Sequence, residues 1–448
     1  MEKPENLLFS NRDLYNLFIP ILIEQTLALG VGLADSMMVA QVSEAAVSGV
    51  SLVDFIMALL INIFGALASG GAVVVGQYYG MKSTDTADQA GRQMTQFSFF
   101  FSLFIMAAIF LLREPILNVL FGSVPPEVRS AAGIYFNIVV PSIPFIALYN
   151  CGAAMFRTMG NSKLPMAVMT SMNVLNIAGN AVLVFVFRMG VAGIAIPTFA
   201  SRFGAAVIIL ALARRPGLEL HLRGWLTDRF CWPMVRRILN IGAPFAFESG
   251  MFSFGRLLVL TIVARFGTAA IAANSVAGSI GVFQTLPGLA VNLGHSVIVS
   301  RCIGAGREDQ AQWYTSRLLR FTHLIFLLSN ITVGAAMPLL MRIYSLSPEA
   351  VRLVWIIVLS HGIIQIFIWP EGWLLPVAFR AAGDARFPMI VAIADMVFIR
   401  IISAWFLAVT FGMGMLGTWY AMYLDWLVRL VIFVPHYRSG VWLKYRAI

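Results

Sequence analysis

Several ionisable side chains of this sequence fall inside long apolar runs, and any chemistry the chain performs must centre on them. A charge in hydrocarbon costs about 2.5–3.5 kcal/mol even on lenient scales, so each is a functional candidate by default. Glu24 and Asp35 lie eleven residues apart, nearly three helical turns. They therefore share one helix face, about 16 Å apart along the axis. Two carboxylates on one face suit a cation path; the plainer reading is that Asp35, near the end of its run, reaches interfacial water. Pro20, just before Glu24, lacks an N–H and weakens the helix ladder, which makes it a hinge candidate.

Asn173, Asn176 and Asn180 follow at i, i+3 and i+7, a spacing that stacks three amides on one stripe. Amide oxygens serve a hard cation such as Na⁺, or the amides bond between helices. Asn176 and Asn180 are assigned to a site, and Asn173 to packing. Glu248 sits in Ala-Pro-Phe-Ala-Phe-Glu-Ser-Gly with no opposite charge one turn away, which makes it a candidate for proton exchange unless another helix supplies a partner. Arg256 is two turns off, too far for an internal pair, and Pro244 is the matching hinge candidate. Glu24 and Glu248 are expected near the bilayer midplane. Asp54, Arg256 and Glu371 are expected to line a cavity, and Asp395 and Asp425 to do so or to pair with Arg202 and Arg400. Asp425 and Arg429 stand at i,i+4 and suit a local pair. Asp384 reads as a turn or cap residue, and His295 and His361 as core histidines.

These residues need a membrane scaffold. The chain has 448 residues, 59% hydrophobic and 12% charged, about half the charge of a soluble chain. The three cysteines are widely spaced and suggest neither a disulfide frame nor a metal site. The start of the sequence has no pattern of a cleaved signal peptide. Twelve runs are long and apolar enough to span a bilayer, roughly 14–40, 48–74, 95–112, 134–155, 165–187, 191–213, 240–264, 274–299, 320–341, 353–378, 388–411 and 414–435. Of 31 Lys and Arg, 21 fall on one side of that topology, six on the other and four within spans. The positive-inside rule then puts both termini in the cytoplasm of a bacterial inner-membrane protein.

The sequence is also duplicated, at an offset of 223–224 residues. Phe156-Arg157-Thr158-Met159-Gly160-Asn161-Ser162-Lys163-Leu164-Pro165-Met166 parallels Phe379-Arg380-Ala381-Ala382-Gly383-Asp384-Ala385-Arg386-Phe387-Pro388-Met389. Pro20 and Glu24 align with Pro244 and Glu248, and Gly190 and Gly193 with Gly414 and Gly417. The expected fold is an all-α membrane protein with twelve transmembrane helices in two six-helix lobes related by a parallel repeat. The lobes are expected at 1–213 and 240–448, joined by a cytoplasmic linker at 214–239. Asp35 aligns with Val259 and Asn176 with Ile399, so the polar set of the first half is not expected in the second.

The Pro20…Asp35 helix, the asparagines of the fifth span, Gly190-Val-Ala-Gly193…Thr198, Pro244…Glu248 and the two Phe-Arg-x-x-Gly loops resemble the multidrug and toxic compound extrusion (MATE) transporters over the whole chain. The resemblance implies two lobes around a central cavity and no metal cofactor beyond a possible Na⁺. It implies export of cationic amphipathic compounds in exchange for Na⁺ or H⁺, by a membrane-embedded monomer. It places Asp35 as the family's first-lobe carboxylate with Asn176, Asn180 and Thr198 as its companions, and Glu248 as the carboxylate of the seventh helix. Several relatives carry Asp where this chain has Asn180, and the missing charge weakens a first-lobe Na⁺ site. The alternative is a flippase for a lipid-linked saccharide or other anionic lipid, which Arg202, Arg256 and Arg400 would suit. No phosphate loop, zinc-protease motif or nucleophile set argues for an enzyme, and no feature calls for nucleic acid.

Overall fold

The computed structural model describes residues 3–121, 125–344 and 346–448. Among them, twelve long helical segments carry the chain: α1 (Asn11–Ala40), α2 (Glu44–Gly80), α3 (Thr84–Leu111), α4 (Pro126–Thr158), α5 (Lys163–Val186), α6 (Ala192–Leu212), α7 (Trp232–Val263), α8 (Gly267–Gly304), α9 (Glu308–Tyr344), α10 (Pro348–Ala382), α11 (Arg386–Thr410) and α12 (Met415–Arg438). Each expected span lies on one of them and overruns it by a residue at most, while several helices extend well beyond their spans. A short helix, Arg113–Phe121, follows α3.

Local sequence sets the ends. Ser10 and Asp13 close a capping box on α1, each side chain bonding the other's backbone amide, which satisfies two otherwise orphaned N–H groups. Ser43 caps α2 through the Ala46 amide at 3.0 Å. The glycine of the repeated Phe-Arg-x-x-Gly motif is a helix stop in both halves: Gly160 and Gly383 have φ of 85° and 121°, open to glycine and strained for other residues. The residue after it diverges. Asn161 caps α5 through the Leu164 amide at 3.3 Å, whereas Asp384, expected as a turn or cap, instead pairs with His436 of α12 at 2.9 Å.

The chain divides into two compact units, Ser10–Ala246 and Phe247–Ile448, the second also including Met1–Phe9. In the first, the core joins α2, α4, α5 and α6 through Val53, Phe64, Phe136, Val140, Val184 and Ile194. In the second it joins α8, α9, α10 and α12 through Ala277, Met337, Val354 and Met415. The unit boundary falls inside α7, two residues after Pro244. The amino-terminal arm packs on α9, where the Leu8 amide donates to Gln310 Oε1 at 2.8 Å and the Phe9 amide to the Tyr314 hydroxyl at 3.0 Å.

Two stretches read as loop are structured. Helix α3 begins eleven residues before its apolar run because Ala87, Ala90 and Gly91 form a buried face outside the membrane. The segment between α6 and α7 packs on that stem with Leu220, Leu222 and Trp225 buried. Asp88 accepts the His221 amide at 2.7 Å, Gln93 bonds Arg229 and Cys231, and Arg92 pairs with Asp228.

The repeat is visible in helix geometry. A π-helical turn ends α5 at Val182–Val186, and its counterpart ends α11 at Phe406–Thr410, an offset of 224. Yet the helices begin at Lys163 and Arg386, an offset of 223. One extra residue therefore enters α11, and α11 alone carries a second π segment, Asp395–Ile401. The wider turn absorbs the insertion without breaking the helix. The counterpart of Asn180 is then Ala404, and that of Asn176 falls at Ile399 or Arg400 within the bulge.

Close helix contact inside the first unit rests on glycine. A Cβ on Gly70 of α2 would lie 2.4 Å from the backbone of Gly242 in α7, whereas a Cβ on Gly30 of α1 would meet nothing. Gly70→Ala is expected to cost about 1–3 kcal/mol by overpacking and to lower the thermal unfolding midpoint in detergent by a few degrees. Gly30→Ala should leave it unchanged or raised. Equal midpoints for the two variants would contradict the contact.

Candidate functional site

The polar site of the first unit is assembled by small residues. Gly179 of α5 faces Pro197 of α6, where an added Cβ would come within 2.9 Å of the proline ring. That approach brings Asn176 and Asn180, which flank Gly179, onto Thr198. Thr198 is fixed by donating to the Ile194 carbonyl at 2.9 Å. Asn180 Nδ2 donates to Asp35 Oδ1 at 2.6 Å and reaches Asn176 Oδ1 at 3.3 Å. Asn176 bonds Thr198 Oγ1 at 3.3 Å. Turning the Asn176 amide over points its nitrogen at Asp35 Oδ1 at 3.0 Å and its oxygen at the Thr198 amide at 3.2 Å; either orientation bonds Thr198, and the turned one exchanges Asn180 for Asp35. Asp35, Asn176, Asn180 and Thr198, expected together, are together. Asn173 stands apart, its Nδ2 buried without a hydrogen-bond partner among the described residues.

Asp35 is half-buried while both asparagines are fully enclosed. Asn180 Oδ1 is buried with no donor, an unmet acceptor next to a carboxylate. Asp54 and Arg202 lie close enough to act on Asp35 electrostatically. Asp54 is exposed on α2 and accepts the Tyr135 hydroxyl at 2.9 Å. Arg202, one turn beyond Thr198, donates to Ser142 Oγ at 2.9 Å. Tyr135 was not expected here: nothing in its local sequence distinguishes it from other interior tyrosines.

Glu24 and Glu248 sit elsewhere. Glu24 accepts Arg157 Nη2 at 2.6 Å, with the Tyr149 hydroxyl 3.1 Å away. The same hydroxyl reaches the carbonyl of Pro165, near the start of α5, at 3.2 Å. On α1, Glu24 therefore does not share a cluster with Asp35. Glu248 accepts Arg380 Nη1 at 2.8 Å. Arg157 and Arg380 are the arginines of the two Phe-Arg-x-x-Gly motifs, each close to the end of its helix. The signal was in the repeat, which duplicates both partners of the pair.

In the second unit, Arg429 Nε bonds Asp395 Oδ2 and Asp425 Oδ1, each at 2.8 Å, and Arg400 Nη1 bonds Asp425 Oδ2 at 3.1 Å. The expected i,i+4 pair is present, within a four-charge network. His323 Nδ1 lies 2.5 Å from the Ile366 carbonyl, which can only accept, so Nδ1 carries a proton. The 2.9 Å contact of His323 Nε2 with Glu371 Oε1 then requires a second proton, on the ring or the carboxyl. His323 was not among the expected residues. His361 meets Gln284 at 2.8 Å and His295 meets Thr315 at 2.9 Å, both as core histidines. Among the described residues no group of three or more His, Cys, Asp or Glu side chains could hold a metal.

The MatE family model matches the chain twice, over residues 20–182 and 244–406. The chain belongs to the MatE family. The two matches stand 224 residues apart, so the duplication is that of the family. MatE proteins are multi-pass membrane transporters rather than enzymes, and this chain is an all-α one of twelve transmembrane helices in two six-helix halves. It is 28% identical over 454 residues to the uncharacterized transporter YisQ of Bacillus subtilis, covering 99% of this chain and 97% of that one. It is 25% identical over 445 residues to a probable multidrug resistance protein NorM of Thermotoga maritima, covering 97% and 93%. In fold it matches a crystal structure of MATE in the bent conformation with a TM-score of 0.88 at 16% identity, covering 97% and 96% of the two chains.

The Glu24–Arg157 pair yields a test. Arg157→Ala should leave a buried carboxylate uncompensated and cost about 3–5 kcal/mol, seen as a lower yield of folded protein and a lower unfolding midpoint. Glu24→Gln combined with Arg157→Gln should recover most of the loss. A double-mutant cycle with no coupling between the positions would contradict the pairing.

Proposed function

We propose that this MatE transporter exports amphipathic organic compounds, cationic ones included, in exchange for Na⁺ or H⁺ taken up at Asp35. The supporting observation is the Asp35 carboxylate beside the unmet Asn180 oxygen. The same atoms serve either ion. Na⁺ would draw on oxygens of Asp35, Asn180, Asn176 and Thr198, with the Asn180 amide turned over. A proton would neutralise Asp35 and donate to the turned Asn180 oxygen. Asp54 and Arg202 set the field in which that carboxylate gains and loses charge.

The remaining acids are poorer candidates. Glu24 and Glu248 are each held by an arginine, so a bound cation already occupies the place an incoming ion would take. Their proposed role is to anchor α1 and α7 to the ends of α4 and α10. Pro20 and Pro244 then offer flexible points beside the anchors, and Pro244 stands two residues from the unit boundary. The lobes are assigned to 1–213 and 240–448 and the linker to 214–239. The distribution of basic residues supports termini in the cytoplasm of a bacterial inner membrane, and two halves in one chain support a monomer.

Transport in proteoliposomes separates the ions. Ethidium uptake into inverted vesicles should follow an imposed Na⁺ or H⁺ gradient, and Asp35→Asn should lower that uptake at least about tenfold, a loss of roughly 1.4 kcal/mol or more. Asn180→Asp, by adding a second carboxylate, should raise the apparent affinity for Na⁺. Gradient-driven uptake at the full rate in Asp35→Asn would overturn the assignment.

A further inference from the structure

The second unit holds an arginine that none of the roles above uses. Arg256 is exposed on α7 at a membrane-spanning level, two turns short of the helix end. No carboxylate, hydroxyl or carbonyl among the described residues bonds to it, and no acid acts on its charge. The acids in the interior of this unit's apolar spans are committed elsewhere: Glu248 to Arg380, Asp395 and Asp425 to Arg429 and Arg400, and Glu371 to His323. A charged side chain at this depth faces a bundle interior or a watered cavity rather than lipid.

A second guanidinium stands beside it. Phe252 and Arg256 are one turn apart on the same face of α7. Arg400, from the π segment of α11, lies over the Phe252 ring at 5.6 Å, and the two arginines are close enough to repel. Gly255 brings the helices together, since an added Cβ would meet the Met396 side chain at 2.2 Å. Arg400 is 7% exposed, and only its Nη1 is bonded to an acid; its buried Nε has no acceptor. Two adjacent cations, one with an orphaned buried N–H and one with no partner, form a site that lacks its anion. A carboxylate or phosphate has two oxygens to offer such a pair.

We propose that Arg256 and Arg400 bind the oxyanion group of an amphipathic molecule. This rests on the export reading and deepens it. Two sources share the chemistry: a carboxylate on the transported compound, or the phosphate of a lipid.

Rhodamine B, which carries a free carboxylate, and its ethyl ester, which does not, are the probes. Both are titrated by fluorescence polarisation against the purified protein in phosphatidylcholine nanodiscs. Arg256→Gln should weaken rhodamine B binding about tenfold, the loss of one charge-assisted contact, and change ester binding less than about twofold. Arg256→Lys should restore part of the difference. Equal weakening of both dyes, no effect on either, or no binding of rhodamine B to the unaltered protein would overturn the proposal. In nanodiscs with added phosphatidylglycerol, loss of the Arg256-dependent increment identifies lipid phosphate as the occupant, and its persistence identifies the solute carboxylate. Export of rhodamine B that depends on Asp35 but not on Arg256 would sink this site and leave the exporter standing. Arg256-dependent binding without gradient-driven export would do the reverse.

Discussion

The cost of an uncompensated charge in hydrocarbon governs this structure. Nearly every ionisable group at membrane depth answers it by finding a partner on another helix. Glu24 meets Arg157, Glu248 meets Arg380, and two aspartates meet two arginines between α11 and α12. A buried pair adds little net stability over apolar packing, but separating it is expensive. Each pair therefore fixes which helix neighbours which. The groups that escape pairing stand out for that reason: Asp35 and Asp54 in one half, Arg256 in the other.

Duplication explains the paired groups, and divergence the unpaired ones. The Glu–Arg pair and the Gly160 and Gly383 helix stops occur in both halves at almost the same offset, as parts of one inherited scaffold. The extra residue in α11 marks the departure. Its π segment carries Asp395 and Arg400 into a network with α12, while the matching stretch of α5 stays regular and carries Asn173 and Asn176. One insertion thus separates an amide-lined stripe from a charge-lined one.

This contrast sets how much the sequence revealed. Helices, halves and the stripe of Asn176 and Asn180 were legible because hydrophobic length, repeat offset and i,i+4 spacing are properties of the chain itself; Asp35 and Thr198 joined that stripe only through the resemblance to a known family. Partners between helices were not, because they depend on how helices rotate against one another. Glu248 illustrates it: local sequence offers no counter-charge, yet Arg380, far along the chain, is 2.8 Å away. Tyr135 and His323 escaped for the same reason, as each gains its meaning from a carboxylate on another helix.

Asparagine and arginine consequently handle a neighbouring acid by different means. Amides hold Asp35 through single hydrogen bonds, and an amide can turn over to accept where it had donated, so the carboxylate need not keep its charge for the cluster to stay bonded. Arginine cannot make that exchange: it donates only and remains charged at any physiological pH. An acid tied to arginine therefore keeps a partner that can only donate, while the acid tied to asparagine has one that can donate or accept. A coupling site needs the second kind of neighbour. With an amide rather than a second carboxylate at Asn180, Asp35 lies among groups that can follow a change in its charge.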